Sequence, residues 1–348
     1  MTPCQVTVLV AVYNTATYLP QCLDSLLAQT LAGVQVVCVD DASTDGSPAI
    51  LDDYARRDAR IEVVHLDDNG GQARARNIGL RRARGRLVCF LDSDDWMAVD
   101  CLARAVAVFD RHPLTDCVLF HTLYYYSPSR QEEYPMQPFR VLTGREAFER
   151  SLTWAIHGVY MVRTDIHRRY PYDESAHAFS DDNTTRLHYL ASREVRLCSG
   201  TYFYRQHAAS VSHQVSPRRF DYLAANLSMA RQLRQLGVPS ELLSIYENHR
   251  WLNVVDLYWF YHRHRRRLGA AAAARGLRQI REAWAGIETW RLRPRLRCKF
   301  GYAPLRWASG PGLQDERGAA GRAADSLSWC LFRLEEELYF SLRRLLGR

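Results

Sequence analysis

Lysine is almost missing from this chain: Lys299 is the only one among 46 Lys and Arg residues, so arginine carries nearly all of the positive charge. Long apolar runs are missing too. With no stretch of about 20 apolar residues, no span of a bilayer is expected. The apolar stretch from Val6 to Val12 has no basic lead-in and no small-residue cleavage site, so it reads as a strand rather than a secretory leader. The protein is therefore expected in the cytosol. None of the nine cysteines forms a Cys-x-x-Cys pair, and Cys38, Cys89 and Cys117 sit inside apolar runs, which suits reduced core thiols. Neither G-x-G-x-x-G nor G-x-x-x-x-G-K-[ST] follows any apolar run, which removes dinucleotide dehydrogenases and P-loop enzymes from the field.

What is present is enough for a full core, with 348 residues of which 47% are hydrophobic. Charge is unevenly spread. From Val215 onward 24 Lys and Arg stand against 12 Asp and Glu, whereas the first 214 residues hold 22 against 26. A basic back half suits an anionic partner such as phospholipid head groups, a polyprenyl phosphate or nucleic acid, or it reflects arginine as the common surface cation.

Apolar and helix-like segments alternate from the start: Val6–Val12, Tyr18–Gln29, Val34–Val39, Ser47–Arg57, Ile61–Leu66, Gly71–Arg84 and Leu87–Leu91. Such alternation predicts βαβ units on a mainly parallel sheet, with strands covered on both faces. A helix over Val99–Arg111 and a strand over Cys117–His121 extend it. The Tyr, Pro and Ser-rich stretch from Tyr124 to Val141 reads as a long surface excursion. From Phe220 to Arg348 helices are predicted at Phe220–Leu236, Ser240–Arg265, Ala270–Trp284 and Ser326–Leu346. The predicted fold class is α/β, with a mostly helical C-terminal extension.

Polar residues fall where chemistry needs them. Tyr13-Asn14, Asp40-Asp41 and Asp92-Ser93-Asp94-Asp95 each follow an apolar strand, and in a parallel sheet all carboxyl ends share one edge where ligands bind. Crowded carboxylates raise one another's pKa unless a cation joins them. Oxygen ligands on a turn suit Mg²⁺ or Mn²⁺, which complete their shell with water and substrate phosphates, so a diphosphate is implied. A single cap accounts for Asp45 or Ser47 but not for three acids in one turn.

The ordered motifs resemble a family 2 glycosyltransferase of the GT-A type over roughly the first 215 residues. Val8-Leu9-Val10-Ala11-Val12-Tyr13-Asn14 resembles the opening strand, with Ala11 where proline is usual. Val39 through Ser47 resembles the DDGSTDGS segment, with Ala42 in place of glycine. Asn69-Gly70-Gly71 through Ala75-Arg76-Asn77-Ile78-Gly79 resembles the N-x-G…ARN-x-G stretch, and Asp92-Ser93-Asp94 the DxD metal motif. The resemblance implies a Rossmann-like donor half over residues 1–123, an acceptor half of the same catalytic domain over 124–214 and a basic helical region over 215–348. It implies that Ala11 and Tyr13 flank a nucleotide base. Asp40 and Asp41 would join that donor site, with Asp41 accepting from uracil, while Arg76 reaches the base or ribose. Asp92 and Ser93 would meet ribose or the metal's water, and Asp94 the Mn²⁺ or Mg²⁺ itself. Tyr204-Arg205-Gln206-His207 and Ser210 resemble the YR-x-H-x-x-S segment, which brings His207 to the diphosphate or metal. Ser180-Asp181-Asp182-Asn183 stands where the family shows Glu-Asp, so Asp182 is the expected general base of an inverting transfer, with Asp181 second. Trp154 is expected near the acceptor. The resemblance implies a nucleotide-sugar co-substrate, a UDP-sugar first among them, and a surface-glycan or lipid-linked acceptor; nucleic acid is not expected.

Past His213 only pattern remains. Leu327, Leu331, Leu334, Leu338, Leu342 and Leu345 form one helical stripe, closed by Arg343, Arg344 and Arg348. It suits either an interfacial helix at the inner face of an anionic membrane or packing onto the catalytic domain, and Glu335-Glu336-Glu337 speaks against deep lipid contact. Two rivals compete with the enzyme reading: a phosphatase or phosphotransferase with Asp92 as nucleophile, and a non-enzymatic module binding nucleic acid or membrane through the arginine-rich tail. Glycoside hydrolysis needs two carboxylates but no nucleotide pocket.

Overall fold

The computed structural model describes residues 3–175, 179, 181–207, 215–297 and 319–345. Ser180 and the Ser210–Ser212 stretch lie outside them. The chain divides into two compact units, Met1–Gln214 and Val215–Arg348.

The first unit runs β1 (Val6–Val12), α1 (Leu19–Leu27), β2 (Val34–Asp40), α2 (Ser47–Arg57), β3 (Ile61–His65), α3 (Gln72–Arg82), β4 (Leu87–Phe90), β5 (Trp96–Met97), α4 (Cys101–Arg111) and β6 (Thr115–Ser127). It continues with β7 (Arg130–Glu133), β8 (Leu142–Thr143), α5 (Gly144–Ser151), β9 (Tyr160–Arg163), α6 (Thr164–Arg169), α7 (Asp181–Ala191) and β10 (Glu194–Arg205). The sheet order is β3-β2-β1-β4-β9-β6-β10-β5, with β7 on β6 and β8 on β10. Pairs β3-β2-β1-β4 and β6-β10 are parallel. Inside the sheet β9 runs antiparallel to both β4 and β6, and the short strands β5, β7 and β8 also pair antiparallel, β5 and β8 with β10 and β7 with β6. The sheet is thus mixed but mainly parallel. Valine-rich β1 and β2 form strands because branched side chains suit a pleated surface, and β2 is buried along its whole length, as a strand covered by helices on both faces must be.

The stretch from Tyr124 to Val141 differs from the expected surface excursion at its start. β6 carries Tyr124, Tyr125 and Tyr126 on as strand to Ser127 and turns back through β7 as a hairpin. Aromatic residues favour that extended conformation once a partner strand pairs with them.

The second unit contains α8 (Asp221–Gln235), α9 (Ser240–Leu268), α10 (Ala270–Ala285), α11 (Pro294–Arg297) and α12 (Ala319–Leu345). Its core gathers Phe220, Trp251, Tyr258, Ile280, Trp284, Trp329 and Phe332. The last two show which face of α12 turns inward. With them go Glu335 and Glu336, both buried; Glu336 accepts from Trp259 Nε1 (3.0 Å) and Glu337 from Tyr258 Oη (2.7 Å). Leu327, Leu334, Leu338, Leu342 and Leu345 remain at least half exposed. Among the described residues, no helix is long and apolar enough to cross a membrane.

Candidate active site

The carboxyl ends of β1, β2 and β4 meet at one rim, and backbone bonds hold them together. Asp41 N–H donates to Val12 carbonyl (2.8 Å) and Leu91 N–H to Leu9 carbonyl (3.0 Å). Past β1, which includes the half-buried Ala11, Tyr13 stands 49% exposed, a ring open to stacking. Asn14 follows at φ 52° and accepts from Thr44 N–H (2.7 Å), while its own N–H donates to Ser43 Oγ (3.0 Å).

Asp40 and Asp41 are both buried, and each is engaged by the protein. Asp40 accepts from Ser43 N–H (3.0 Å) and pairs with His65 Nδ1 (2.9 Å), which raises the pKa of that histidine. Asp41 takes the N–H groups of Gly70 and Gly71 on its two oxygens, at 2.9 and 2.8 Å. Gly71 has φ 88°, a conformation that strains any residue with a Cβ, and it starts α3. Asp41 thereby fixes the origin of the helix that carries Arg76. Four lone-pair directions leave its carboxylate room for a ligand donor as well.

Arg76 is buried, and its guanidinium lies 4.1 Å from the Phe90 ring centroid and 5.2 Å from that of Tyr172. Nη2 donates to Asp92 Oδ1 and Nη1 lies 3.7 Å from Asp181 Oδ2. Among the described residues Nε has no hydrogen-bond partner. The arginine therefore joins the turn after β4 to the start of α7. Asp92 also accepts from Gln72 Nε2 (3.0 Å); burial pushes its pKa up, Asp94 and Asp181 add to the rise and Arg76 opposes it.

The other residues of that turn divide sharply. Ser93 is buried and accepts from Thr15 Oγ1 (3.0 Å). Asp95 is fully enclosed, with Tyr202 Oη donating to one oxygen (2.7 Å) and Arg205 N–H to the other (2.8 Å). Burial, then Asp92 and Asp94, pushes its pKa well up. Asp94 instead shares a 3.0 Å hydrogen bond with His207 Nε2, and both side chains are partly open to solvent. Arg205 braces them: its Nε donates to Asp94 carbonyl (2.7 Å), and its guanidinium sits 4.9 Å from the Tyr18 ring and 4.6 Å from that of Trp96. Tyr18 also faces His207, at 5.0 Å between rings.

On the far side, Asp181 and Asp182 open α7. Asp182 is mostly enclosed, its Oδ2 3.8 Å from Arg186 Nη2, and Arg186 in turn lies 5.5 Å from the Trp154 ring. Trp154 has φ 56°. It closes α5: Ala155 N–H bonds Arg150 carbonyl (3.1 Å) and Trp154 N–H bonds Ser151 carbonyl (3.2 Å), the Schellman pattern whose left-handed position usually belongs to glycine. A tryptophan held there and 36% exposed is a strained aromatic at a rim.

The structure thus joins Asp92 and Asp181 through Arg76, pairs Asp94 of the same turn with His207, leaves Tyr13 exposed at the end of the neighbouring β1, and buries Asp40 and Ser93. Sequence reasoning missed Tyr18 and Arg186, and it gave no role of their own to Asp95, which it counted only as part of the acidic turn, or to Arg205 as a brace.

An open α/β sheet with this acidic rim defines the GT-A class of folds. Residues 7–170 match the family described as Glycosyl transferase family 2. EpsJ of Bacillus subtilis (strain 168), an uncharacterized glycosyltransferase, is 32% identical over 220 residues, which cover 60% of this chain and 62% of EpsJ. Poly(ribitol-phosphate) beta-glucosyltransferase of Bacillus spizizenii is 35% identical over 103 residues, 29% of this chain and 16% of that protein. The matches thus span less than two thirds of these relatives' length. Among solved structures, S. aureus TarS 1-349 in complex with UDP-GlcNAc superposes with a TM-score of 0.66 at 21% identity, covering 84% of this chain and 83% of that one. The mannosyltransferase PcManGT from Pyrobaculum calidifontis, in complex with GDP-Man and Mn²⁺, gives 0.52 at 21% identity over 84% and 83%. Both likenesses concern the fold.

Proposed function

We propose that this chain is an inverting glycosyltransferase that moves one sugar from a nucleotide-diphosphate donor, a UDP-sugar first among them, to a hydroxyl of a bacterial surface glycan. The observation that carries the reading is the pairing of Asp94 with His207 at the rim where the β1, β2 and β4 ends meet. The relatives support the glycan class, since one is named for poly(ribitol-phosphate) glucosylation, and the UDP-GlcNAc bound by TarS supports the donor.

The donor half is residues 1–123. Tyr13 stacks on the base beside the Ala11 backbone, Asp41 accepts from the uracil ring, and Asp92 with Arg76 borders the ribose. Asp94 and His207 fit a shared divalent cation: one oxygen and one ring nitrogen lie side by side, and His207 Nδ1 has no partner among the described residues. Two protein ligands suffice for Mn²⁺ or Mg²⁺ when diphosphate oxygens and water complete the shell, and no group of three or more His, Cys, Asp or Glu side chains suited to a metal occurs among the described residues. Such a cation would neutralise charge on the departing diphosphate.

The acceptor half is residues 124–214. The acceptor oxygen forms its bond to the anomeric carbon from the face opposite the diphosphate, the carbon–oxygen bond to the diphosphate breaks, and the hydroxyl proton passes to the Asp182 carboxylate. Arg186 orients that carboxylate, and Trp154 offers its exposed ring to the acceptor sugar. The phosphatase alternative fits poorly, because Asp92 lies against Arg76 and Gln72 rather than open to in-line attack.

The acceptor is proposed to be presented at the inner face of a membrane. Turning Glu335 and Glu336 inward removes the objection that acids on α12 posed to lipid contact, and it leaves five leucines facing out beside Arg343 and Arg344.

A screen of nucleotide sugars for release of free nucleotide diphosphate tests the reading. Asp182→Asn should lower turnover roughly 10²–10⁴-fold while nucleotide binding survives, and Asp181→Asn should cost less. An Asp182→Asn enzyme as fast as the parent would remove the base from the scheme.

A further inference from the structure

Far from the acidic rim, between α4 and the middle of β10, lies a cleft of about 640 Å³ lined by Arg111, His112, His121, Phe139, Arg140 and Arg196, among others. No carboxylate is among the described residues that line it. A second cleft of about 510 Å³ shares Arg111 and adds Arg104. Two of these cations are already answered, Arg196 by Glu194 (2.9 Å) and Arg104 by Asp100 (2.6 Å). Arg111 and Arg140 are exposed, and neither makes an ion pair among the described residues; Arg111 Nε donates only to the Ala107 carbonyl (3.1 Å).

The cleft is built by an irregularity of the sheet. Leu197 of β10 pairs with Leu119 of β6, but the next pair is Thr201 with His121, so β10 uses four residues where β6 uses two. A bulge of this kind re-aims side chains. It is pinned from behind, because a Cβ on Gly200 would come within 2.5 Å of the Cys101 carbonyl oxygen on α4. Ser199 precedes Arg205 by six residues, which puts the cleft on the order of 20 Å along the strand from the acidic rim.

We propose that this cleft is a second, non-catalytic site for an anionic glycan, a stretch of sugar chain bearing phosphate or carboxylate groups. Its volume suits one or two sugar residues. Arg111 and Arg140 bind the anionic groups by charge-assisted hydrogen bonds, and the Phe139 ring lies against the carbohydrate. Holding a chain here raises its local concentration at the rim. That the anion is a glycan rests on the glycosyltransferase reading; that an anion binds does not.

Titration calorimetry without nucleotide or metal separates the two. The probes are an oligomer of glycerol phosphate, an oligogalacturonate and neutral maltohexaose. At least one charged oligomer should bind, more weakly as salt rises, and the pair Arg111→Ala with Arg140→Ala should weaken it about tenfold or more, one charge-assisted hydrogen bond's worth. Asp94→Ala should leave it unchanged. Arg140→Ala alone carries the same comparison if the pair fails to fold. Binding of the phosphate oligomer alone assigns a phosphodiester chain, and binding of the carboxylate oligomer alone a uronate chain. No binding of either at low salt, equal binding of maltohexaose, or a variant that binds as tightly as the parent overturns the proposal. Because no turnover is read, an enzyme inactive in every transfer assay would still give an answer here.

Discussion

Ala42 occupies a seat made for glycine: its φ is 60°, in the turn between Asp41 and Ser43, where a Cβ costs about 1–2 kcal/mol. Ala42→Gly should therefore raise stability by about 1 kcal/mol, the relief of strain outweighing the extra freedom of the unfolded chain, and urea unfolding would show it as a higher midpoint at unchanged slope. An unchanged or lower midpoint would mean that neighbouring contacts hold the turn for reasons other than backbone preference. Single residues also show where the sequence was legible. Asp92 and Asp94 could be placed because they follow an apolar run directly, and strand ends share an edge. The role of Asp95 could not, because its partners Tyr202 and Arg205 lie 107 and 110 residues away. Arg76 stood out from Arg74, Arg81 and Arg82 only through its place in the ARN-x-G stretch, and its packing against Phe90 and Tyr172 adds a physical reason the sequence could not show.

At the scale of the element, α12 shows what periodicity leaves open. The spacing of its leucines predicts a helix with an apolar stripe, yet the face turned inward is the one bearing Trp329 and Phe332, with Glu335 and Glu336 beside them. Rings bury more area than leucines, and Glu336 and Glu337 find tryptophan and tyrosine donors, so the bundle takes that face. The basic end of α9 joins the same neighbourhood. His262 stacks on Phe340 at 5.6 Å; burial lowers its pKa first, Arg265 and Arg344 add to the fall and Glu337 opposes it. If the exposed leucines insert at an anionic surface, Leu334→Ser, Leu338→Ser and Leu342→Ser together should reduce sedimentation with phosphatidylglycerol vesicles at least tenfold while the melting temperature stays close to the parent. Equal sedimentation of the two proteins would assign the contact to other residues. Within the first unit, β9 was the element least legible in advance: Tyr160–Arg163 is too short for periodicity to reveal that it runs against its neighbours.

Across the whole molecule, three buried imidazoles set a limit on acid stability, His157, His188 and His167, the last with its pKa pulled well below the ordinary value by burial. Burial pulls the pKa of His157 and of His188 down to about 4, from an ordinary 6.5. Both rings stay neutral in the fold where the unfolded chain would protonate them, so stability is complete above pH 6.5 and is lost as pH falls towards 4, by roughly 3 kcal/mol per ring. Urea midpoints at pH 7.5 and 5 should differ accordingly, and His188→Gln should flatten the dependence; a midpoint independent of pH would contradict the buried neutral state. The wider claim is that distant segments, from Tyr13 to His207, converge on one diphosphate and one cation. Calorimetric titration of UDP into the protein with and without Mn²⁺ tests it most directly. The account predicts binding strengthened by Mn²⁺ in the parent and indifferent to Mn²⁺ in Asp94→Ala; the same Mn²⁺ dependence in both proteins would contradict it.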